Sequence, residues 1–213
     1  AGHRPQNGPS RAQLAQRHDL WVMSDEIYSR LVYDEIEAES IYAIDGMSER
    51  TIVVDGFSKS YAMTGWRLGY AIMPEPLAKK VSLLLTHAVG CTAGFTQKAG
   101  IAAIEQGDRY IADIVKRYQS RRDGFIHGLN QIDGLNCRLP EGAFYAFVNT
   151  SELGIPSARL AERLLHEAGV ACVSGTDFGA NGEGYVRFSY ATSSDQLQNA
   201  VERIANFLNQ LSR

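Results

Sequence analysis

The fold is decided by the stretch Asp55-Gly-Phe-Ser-Lys-Ser-Tyr-Ala-Met-Thr-Gly-Trp-Arg-Leu-Gly-Tyr70. It begins where an apolar run ends, and it holds the amine of Lys59 and the guanidinium of Arg67 in one loop of small residues. An amine nucleophile beside a fixed guanidinium suits Schiff-base chemistry on a cofactor that bears an aldehyde and a phosphate. The stretch therefore predicts a cofactor-binding loop.

Three apolar runs around this loop predict strands: Leu20-Trp-Val-Met23, Thr51-Ile-Val-Val54 and Leu68-Gly-Tyr-Ala-Ile-Met73. Because the runs are continuous rather than alternating, we expect strands that helices cover on both faces. Asp25 and Lys59 lie just past the ends of the first two runs, where open α/β sheets usually build their sites.

Helical signals occupy much of the remaining chain. Helices are predicted from Ser10, from Pro76, near 97–104, over 108–129, from Ser157 and from Ser193. The last part adds strands near 144–148, 170–173 and 185–189. The pattern predicts an α/β protein of two domains, 1–107 and 108–213, in which the helix over 108–129 connects the two.

The composition of the 213 residues, 45% hydrophobic and 21% charged, is typical of a globular protein with a sizeable core. A net charge of −3 gives no overall attraction to nucleic acid or to anionic membranes, so we expect neither as a partner. The apolar runs are shorter than a membrane span needs and no export signal is recognisable, so a cytoplasmic protein is expected.

The cysteines, Cys91, Cys137 and Cys172, stand alone in unlike contexts without CxxC spacing. Reduced, buried thiols are therefore expected rather than a disulfide or metal framework. The histidines are equally scattered, and no metal site is predicted.

Four short sequence motifs carry a family resemblance, and the second of them lies within the stretch quoted above. They are Ser24-Asp-Glu-Ile-Tyr28, Phe57-Ser-Lys59 with Thr64-Gly-Trp-Arg67, Pro140-Glu-Gly-Ala-Phe-Tyr-Ala-Phe147 and Gly184-Tyr-Val-Arg-Phe-Ser189. In this order they resemble the class I and II aminotransferases, pyridoxal-phosphate enzymes of fold type I with the aspartate aminotransferase fold. The resemblance covers the C-terminal portion of a typical member. It implies that 1–107 are the C-terminal part of a large, mostly parallel-sheet domain that binds pyridoxal 5'-phosphate (PLP). Residues 108–213 would then be the connector helix and the small C-terminal domain.

The resemblance also assigns roles around the cofactor. Lys59 would form the Schiff base and move the substrate's α-proton, while Arg67 and Ser58 would bind the phosphate. Asp25 would face the pyridine nitrogen and Tyr28 the ring oxygen. The residues alone leave plainer alternatives open: a solvated lysine, a surface ion pair for the arginine, a capping aspartate and a tyrosine that only packs.

Arg187 lies between apolar residues of a predicted strand, where a charged side chain needs an anion or an edge that faces water. By resemblance it clamps the substrate α-carboxylate in a two-pronged geometry. Solvation on an edge strand is the alternative.

The implied function is transfer of an amino group between an α-amino acid and a 2-oxo acid, in a homodimer with a shared pocket. The same landmarks serve carbon–sulfur lyases and synthases, which use the same cofactor. An effector-sensing half of a transcription regulator and a shortened chain without turnover are further alternatives. Without the rest of the sheet, such a chain would expose apolar surface.

Overall fold

The computed structural model describes residues 10–211, which divide into two compact units, one ending at Ile114 and the other beginning at Val115. In chain order the first unit contains α1 (Arg11–Arg17), β1 (Val22–Asp25), β2 (Thr51–Gly56), β3 (Gly69–Ile72), α2 (Glu75–Ala88) and α3 (Gly94–Gln106). The helix α4 (Asp108–Leu129) runs across the division. The second unit continues with β4 (Tyr145–Asn149), α5 (Ser157–Glu167), β5 (Val173–Ser174), β6 (Tyr185–Ser189) and α6 (Ser194–Leu211).

The first helix begins as predicted. Ser10 accepts a hydrogen bond from the Gln13 backbone, and the Gln13 side chain accepts one from the Ser10 backbone, so the capping box is complete. The following strand starts later than its apolar run, because the Leu20 N–H is used by the Ala15 carbonyl at the end of α1. Val22 is the first residue of the run to bond towards β2, through the Arg50 carbonyl.

The three predicted strands of the first unit form one sheet in the order β1-β2-β3. β1 and β2 are parallel, and β2 and β3 are antiparallel. Full coverage of both faces, however, is wrong for the described residues: every residue of β3 is exposed, and α2 has no buried residue. Only β2, the middle strand, is largely buried among the described strands of this sheet.

The long helix α4 has the bounds that its spacing predicts. The predicted one-sided stripe is buried at Ile111, Ile114, Phe125 and Leu129. Arg122 is buried as well, with only 1% of its surface exposed. Its guanidinium is paired with Asp123 and donates a hydrogen bond to the Pro140 carbonyl over 2.8 Å.

The second unit is built on an antiparallel sheet in the order β4-β6-β5. Its strands alternate: one face buries Ala146, Val148, Val186 and Phe188, and the other carries polar and aromatic side chains. The buried face packs against apolar residues of α5 and α6, namely Leu160, Leu164, Ile204 and Leu208. Ser193 caps α6 as predicted, through the Gln196 N–H.

Within residues 10–211, none of the helices combines the length and the apolar character that a membrane crossing requires. The cysteines are unpaired, with Cys137 buried, Cys172 half-buried and Cys91 exposed. The expectation of buried thiols is therefore wrong for Cys91, which lies in the stretch between α2 and α3.

Candidate active site

The candidate site of the first unit lies at one edge of its sheet. β1 ends at Asp25 and β2 ends at Gly56, and because the two strands are parallel their carboxyl ends meet at the same edge. Gly56 pairs with Gly69 at the start of β3, so the connection over 57–68 begins and ends at this edge. That connection carries Ser58, Lys59 and Arg67. The site predicted from sequence is thus assembled from two neighbouring strand ends.

Lys59 is half-buried in a tight turn, since its carbonyl accepts a hydrogen bond from the Ala62 N–H over 3.1 Å. Phe57 and Ser60 on either side are buried and anchor the turn. The Nζ atom of Lys59 lies 5.9 Å from the centroid of the Tyr28 ring, in cation–π geometry. The structure therefore brings together Lys59 and Tyr28 from the connections that follow β2 and β1.

Arg67 is exposed and adopts the left-handed conformation, with φ of 52° and ψ of 48°. For a residue other than glycine this conformation costs on the order of 1–3 kcal/mol and is concentrated at functional sites. Its Nη1 donates a hydrogen bond to the Thr64 carbonyl over 2.8 Å, which fixes the guanidinium across the turn Thr64–Trp66. Other N–H groups of the fork remain available to an anion.

The two glycines that flank Arg67 differ. A Cβ on Gly69 would lie 3.1 Å from the Asp55 carbonyl, so this glycine permits the close approach of β2 and β3. A Cβ on Gly65 would meet nothing within 4 Å. Gly65 therefore faces open space, and no close backbone approach requires a glycine there.

Asp25 is exposed, and its Oδ1 accepts a hydrogen bond from the Ile27 N–H over 3.2 Å. Because water reaches this carboxylate, its charge needs no partner to be tolerated at the end of β1. Its local bond is the kind that a capping aspartate makes. One oxygen of the carboxylate thus holds the turn.

Two contacts that the sequence did not reveal brace the same edge. Arg30, two residues after Tyr28, donates a hydrogen bond from Nη1 to the Tyr61 hydroxyl over 2.8 Å and forms an ion pair with Asp108. Asp55 accepts a hydrogen bond from the Tyr70 hydroxyl over 2.9 Å, and burial together with this bond raises the pKa of Tyr70 to about 12. No periodicity links residues so far apart in the chain.

Arg187 belongs to the second unit, which we describe by itself. β6 is the middle strand of its sheet, so the alternative of an edge strand that faces water is wrong. Arg187 lies on the outward face, opposite Phe147 in the register. The carbon at the centre of its guanidinium lies 4.4 Å from the ring centroid of Tyr145 and 4.4 Å from that of Phe178.

Side chains from other parts of the second unit hold the backbone of the segment that leads into β4. Ala143 makes a left-handed turn, with φ of 61°. Its carbonyl accepts a hydrogen bond from the Tyr190 hydroxyl over 3.3 Å, and Arg122 holds the neighbouring Pro140 carbonyl. These contacts fix the backbone immediately before Tyr145.

The chain belongs to the aminotransferase class I and II family, whose profile matches residues 11–204. An aspartate aminotransferase of Pyrococcus abyssi is 41% identical over 199 residues, which are 92% of this chain and 51% of the relative. The solved aromatic aminotransferase of Pyrococcus horikoshii superimposes with a TM-score of 0.91 at 40% identity, covering 94% of this chain and 54% of that one. The aspartate aminotransferase of Thermus thermophilus, solved with maleate, gives 0.85 at 40% identity, covering 92% and 50%.

The chain therefore spans about half the length of the curated relatives it matches. Enzymes of this family depend on PLP, and the fold is that of the aspartate aminotransferases. The side chains at the sheet edge fit such a cofactor chemically. They supply an amine (Lys59), a carboxylate (Asp25), two hydroxyls (Tyr28 and Ser58) and a guanidinium (Arg67).

Proposed function

We propose that the protein transfers an amino group between an α-amino acid and a 2-oxo acid, with PLP bound covalently at Lys59. Family membership supports the reaction class. The observation that carries the assignment to Lys59 is its position in the connection after β2, half-buried and with Nζ beside the Tyr28 ring. When bound, PLP supplies an electron-withdrawing ring that stabilises negative charge on the substrate's α-carbon.

The roles of the surrounding residues follow from their donor and acceptor groups. Arg67 and Ser58 bind the phosphate, the first through its planar fork and the second through its hydroxyl. Asp25 accepts a hydrogen bond from the protonated ring nitrogen, and its negative charge keeps that nitrogen protonated. Tyr28 donates to the ring oxygen.

Lys59 has two tasks in this proposal. Its Nζ would hold PLP covalently through the cofactor's aldehyde group, with release of water. Once the substrate's amine has displaced it, the free Nζ would accept the substrate's α-proton and donate it again. The tight turn between two buried anchors keeps the amine in place for both tasks.

Arg187 binds the α-carboxylate of the substrate through two parallel N–H···O bonds, which orients the α-carbon. Its position on the middle strand of a sheet supports this role, because the strand fixes the start of the side chain. Maleate, the ligand of the solved Thermus thermophilus aspartate aminotransferase, is a suitable carboxylate probe.

The covalent bond is tested without turnover. The protein is loaded with PLP and reduced with borohydride, and the modified lysine is located by peptide mass mapping. We expect modification at Lys59, its loss in Lys59→Ala and its retention in Lys80→Ala, which removes an exposed lysine of α2. Stoichiometric modification at another lysine in the unaltered protein would refute the assignment.

The reaction class is tested with the substrates. The relatives are named for aspartate and for aromatic amino acids, so both are offered with and without a 2-oxo acid. Amino transfer requires the oxo acid. Product formation from the amino acid alone would favour a lyase.

We further propose that the active form is a homodimer. The first unit supports this, because it exposes large apolar side chains, among them Leu83, Leu84, Val89 and Phe95. Sedimentation of the cofactor-loaded protein tests it, and a monomer at micromolar concentration would contradict it.

A further inference from the structure

We propose that Tyr145 and Phe178 act as an aromatic clamp that holds the Arg187 guanidinium in position for a carboxylate. The inference rests on the proposed carboxylate-binding role of Arg187. It adds two positioning residues, one on β4 and one at the end of the turn Gly175–Phe178.

The first argument is what Arg187 does not contact. An arginine in a sheet is usually steadied by an acidic neighbour or by backbone carbonyls. Among residues 10–211, Arg187 forms neither an ion pair nor a hydrogen bond, and its contacts are the two aromatic rings. Both distances, 4.4 Å, lie well inside the range of about 6 Å in which a ring face attracts a cation.

The second argument is that a ring contact does not use hydrogen-bond donors. The N–H groups of a guanidinium point outward in its plane, so a ring that lies on the flat face leaves them unused. Rings can therefore restrain the side chain without consuming its donors. An acidic partner would occupy the donors that a carboxylate ligand needs, so the clamp orders Arg187 and leaves it competent to bind.

The third argument is that the rings are themselves supported. Phe178 packs edge-on against Phe147, with centroids 6.1 Å apart, and Phe147 stacks on Tyr185 at 5.0 Å. On the other side Tyr145 contacts Phe144 at 4.8 Å. The outward face of this sheet is thus a continuous row of rings with Arg187 as its cation.

Ordering the arginine in advance strengthens binding, because a side chain that is already restrained loses less freedom when the ligand arrives. We expect the clamp to act on binding of the carboxylate rather than on proton transfer at the α-carbon. Loss of either ring should therefore raise KM for the 2-oxo acid and leave kcat nearly unchanged.

The experiment measures maleate affinity by titration calorimetry on the cofactor-loaded protein. Phe178→Leu and Tyr145→Leu should each weaken binding by about three- to tenfold. The ring-retaining variants Phe178→Tyr and Tyr145→Phe should stay within about twofold. Tyr110→Leu is the matched control, since this ring is 46% exposed on α4 and is not part of the row of rings around Arg187.

A spectroscopic signature reports on the clamp directly. In nitrogen-15-labelled protein, the Nε–Hε proton of Arg187 should be shifted upfield by the ring faces. The shift should shrink in Phe178→Leu and persist in Phe178→Tyr. Phe178 is 52% exposed, so its replacement is not expected to unfold the unit.

Equal maleate affinity in Phe178→Leu and Tyr110→Leu, or equal losses in Phe178→Tyr and Phe178→Leu, would overturn the clamp. Failure of the underlying role looks different: Arg187→Lys would then bind maleate as well as the unaltered protein. That result would refute both the carboxylate-binding role of Arg187 and the clamp, whatever the Nε–Hε signal shows.

Discussion

The Arg30 guanidinium donates a hydrogen bond to the Tyr61 hydroxyl over 2.8 Å, and its carbon lies 5.7 Å from the centre of the same ring. Arg30 follows Tyr28 by two residues, and Tyr61 follows Lys59 by two. The contact therefore joins the two connections that carry the lysine and the tyrosine of the candidate site. Its ion pair with Asp108 fastens the same arginine to the start of α4.

We predict that Tyr61→Phe lowers the free energy of unfolding by about 0.5–1.5 kcal/mol, the usual contribution of one hydrogen bond. The ring stays, so the packing against Phe57 is retained. The affinity for PLP should fall a few-fold, because the connections that carry Tyr28 and Lys59 lose the hydrogen bond that joins them. Denaturant unfolding and PLP titration measure the two effects. The control is Tyr110→Phe, since Tyr110 is an exposed residue of α4; equal values for both variants would show that the bond does not support the site.

Arg122→Met should destabilise the second unit by about 2–3 kcal/mol, because it removes a buried guanidinium that is the charged donor to the half-buried Pro140 carbonyl. Urea unfolding measures the loss. Arg109→Met, which removes an exposed arginine of the same helix, should stay within about 0.5 kcal/mol. If Arg122→Met lost as little stability as Arg109→Met, the result would mean that water replaces the guanidinium as the donor to the Pro140 carbonyl.

Acid should loosen the start of α5. The backbone N–H groups of Ser157 and Gly184 bond to the Glu183 carboxylate and hold its pKa below the ordinary value of 4.5. A carboxylate with a lower pKa in the folded than in the unfolded protein stabilises the fold fully above its unfolded pKa. The contribution is lost as the pH falls through the folded value.

The melting temperature at a series of pH values tests this sign. Glu183→Gln should melt below the unaltered protein at pH 7, and the difference should shrink as the pH falls below about 4.5. Glu152→Gln, at an exposed position in the turn Ser151–Leu153, should follow the unaltered curve. A constant difference across the acid range would contradict the assignment.

Thiol labelling should proceed in two phases. Cys91 is exposed and should react first. Burial raises the pKa of Cys137 to about 11 and that of Cys172 to about 12, so little thiolate is present at neutral pH and both should react slowly. Cys91→Ser should abolish the fast phase and no other. A fast phase that survives this substitution would show that one of the other thiols is more reactive than its burial implies.

Sequence patterns predicted the elements well where the information is local. The spacing of apolar residues along α4 gave its bounds, and Ser10 and Ser193 marked helix starts, because each signal lies within a few residues. The start of β1 was missed. The start of this strand depends on which carbonyl accepts the hydrogen bond of the Leu20 N–H, and the acceptor, Ala15, belongs to another element.

The residues of the candidate site also divide into those that the local sequence marks and those that it does not. Lys59, Arg67 and Asp25 could be named because strand ends and short motifs mark them. The supporting hydrogen bonds could not be predicted, because they join residues that are far apart in the chain. Arg30 donates to residues 31 and 78 positions away, and buried Arg122 donates to a carbonyl 18 positions away. Such contacts exist only after the chain has folded, and a lone arginine in a sequence is more often solvated.

An uncompensated cation on the outer sheet face has an electrostatic consequence. Since no acidic side chain of the described residues pairs with Arg187, its field extends into solvent over about one Debye length, ~8 Å at physiological ionic strength. Small anions should therefore accumulate there and compete with one another, and raising the chloride concentration should slow carboxylate association before it disturbs the fold.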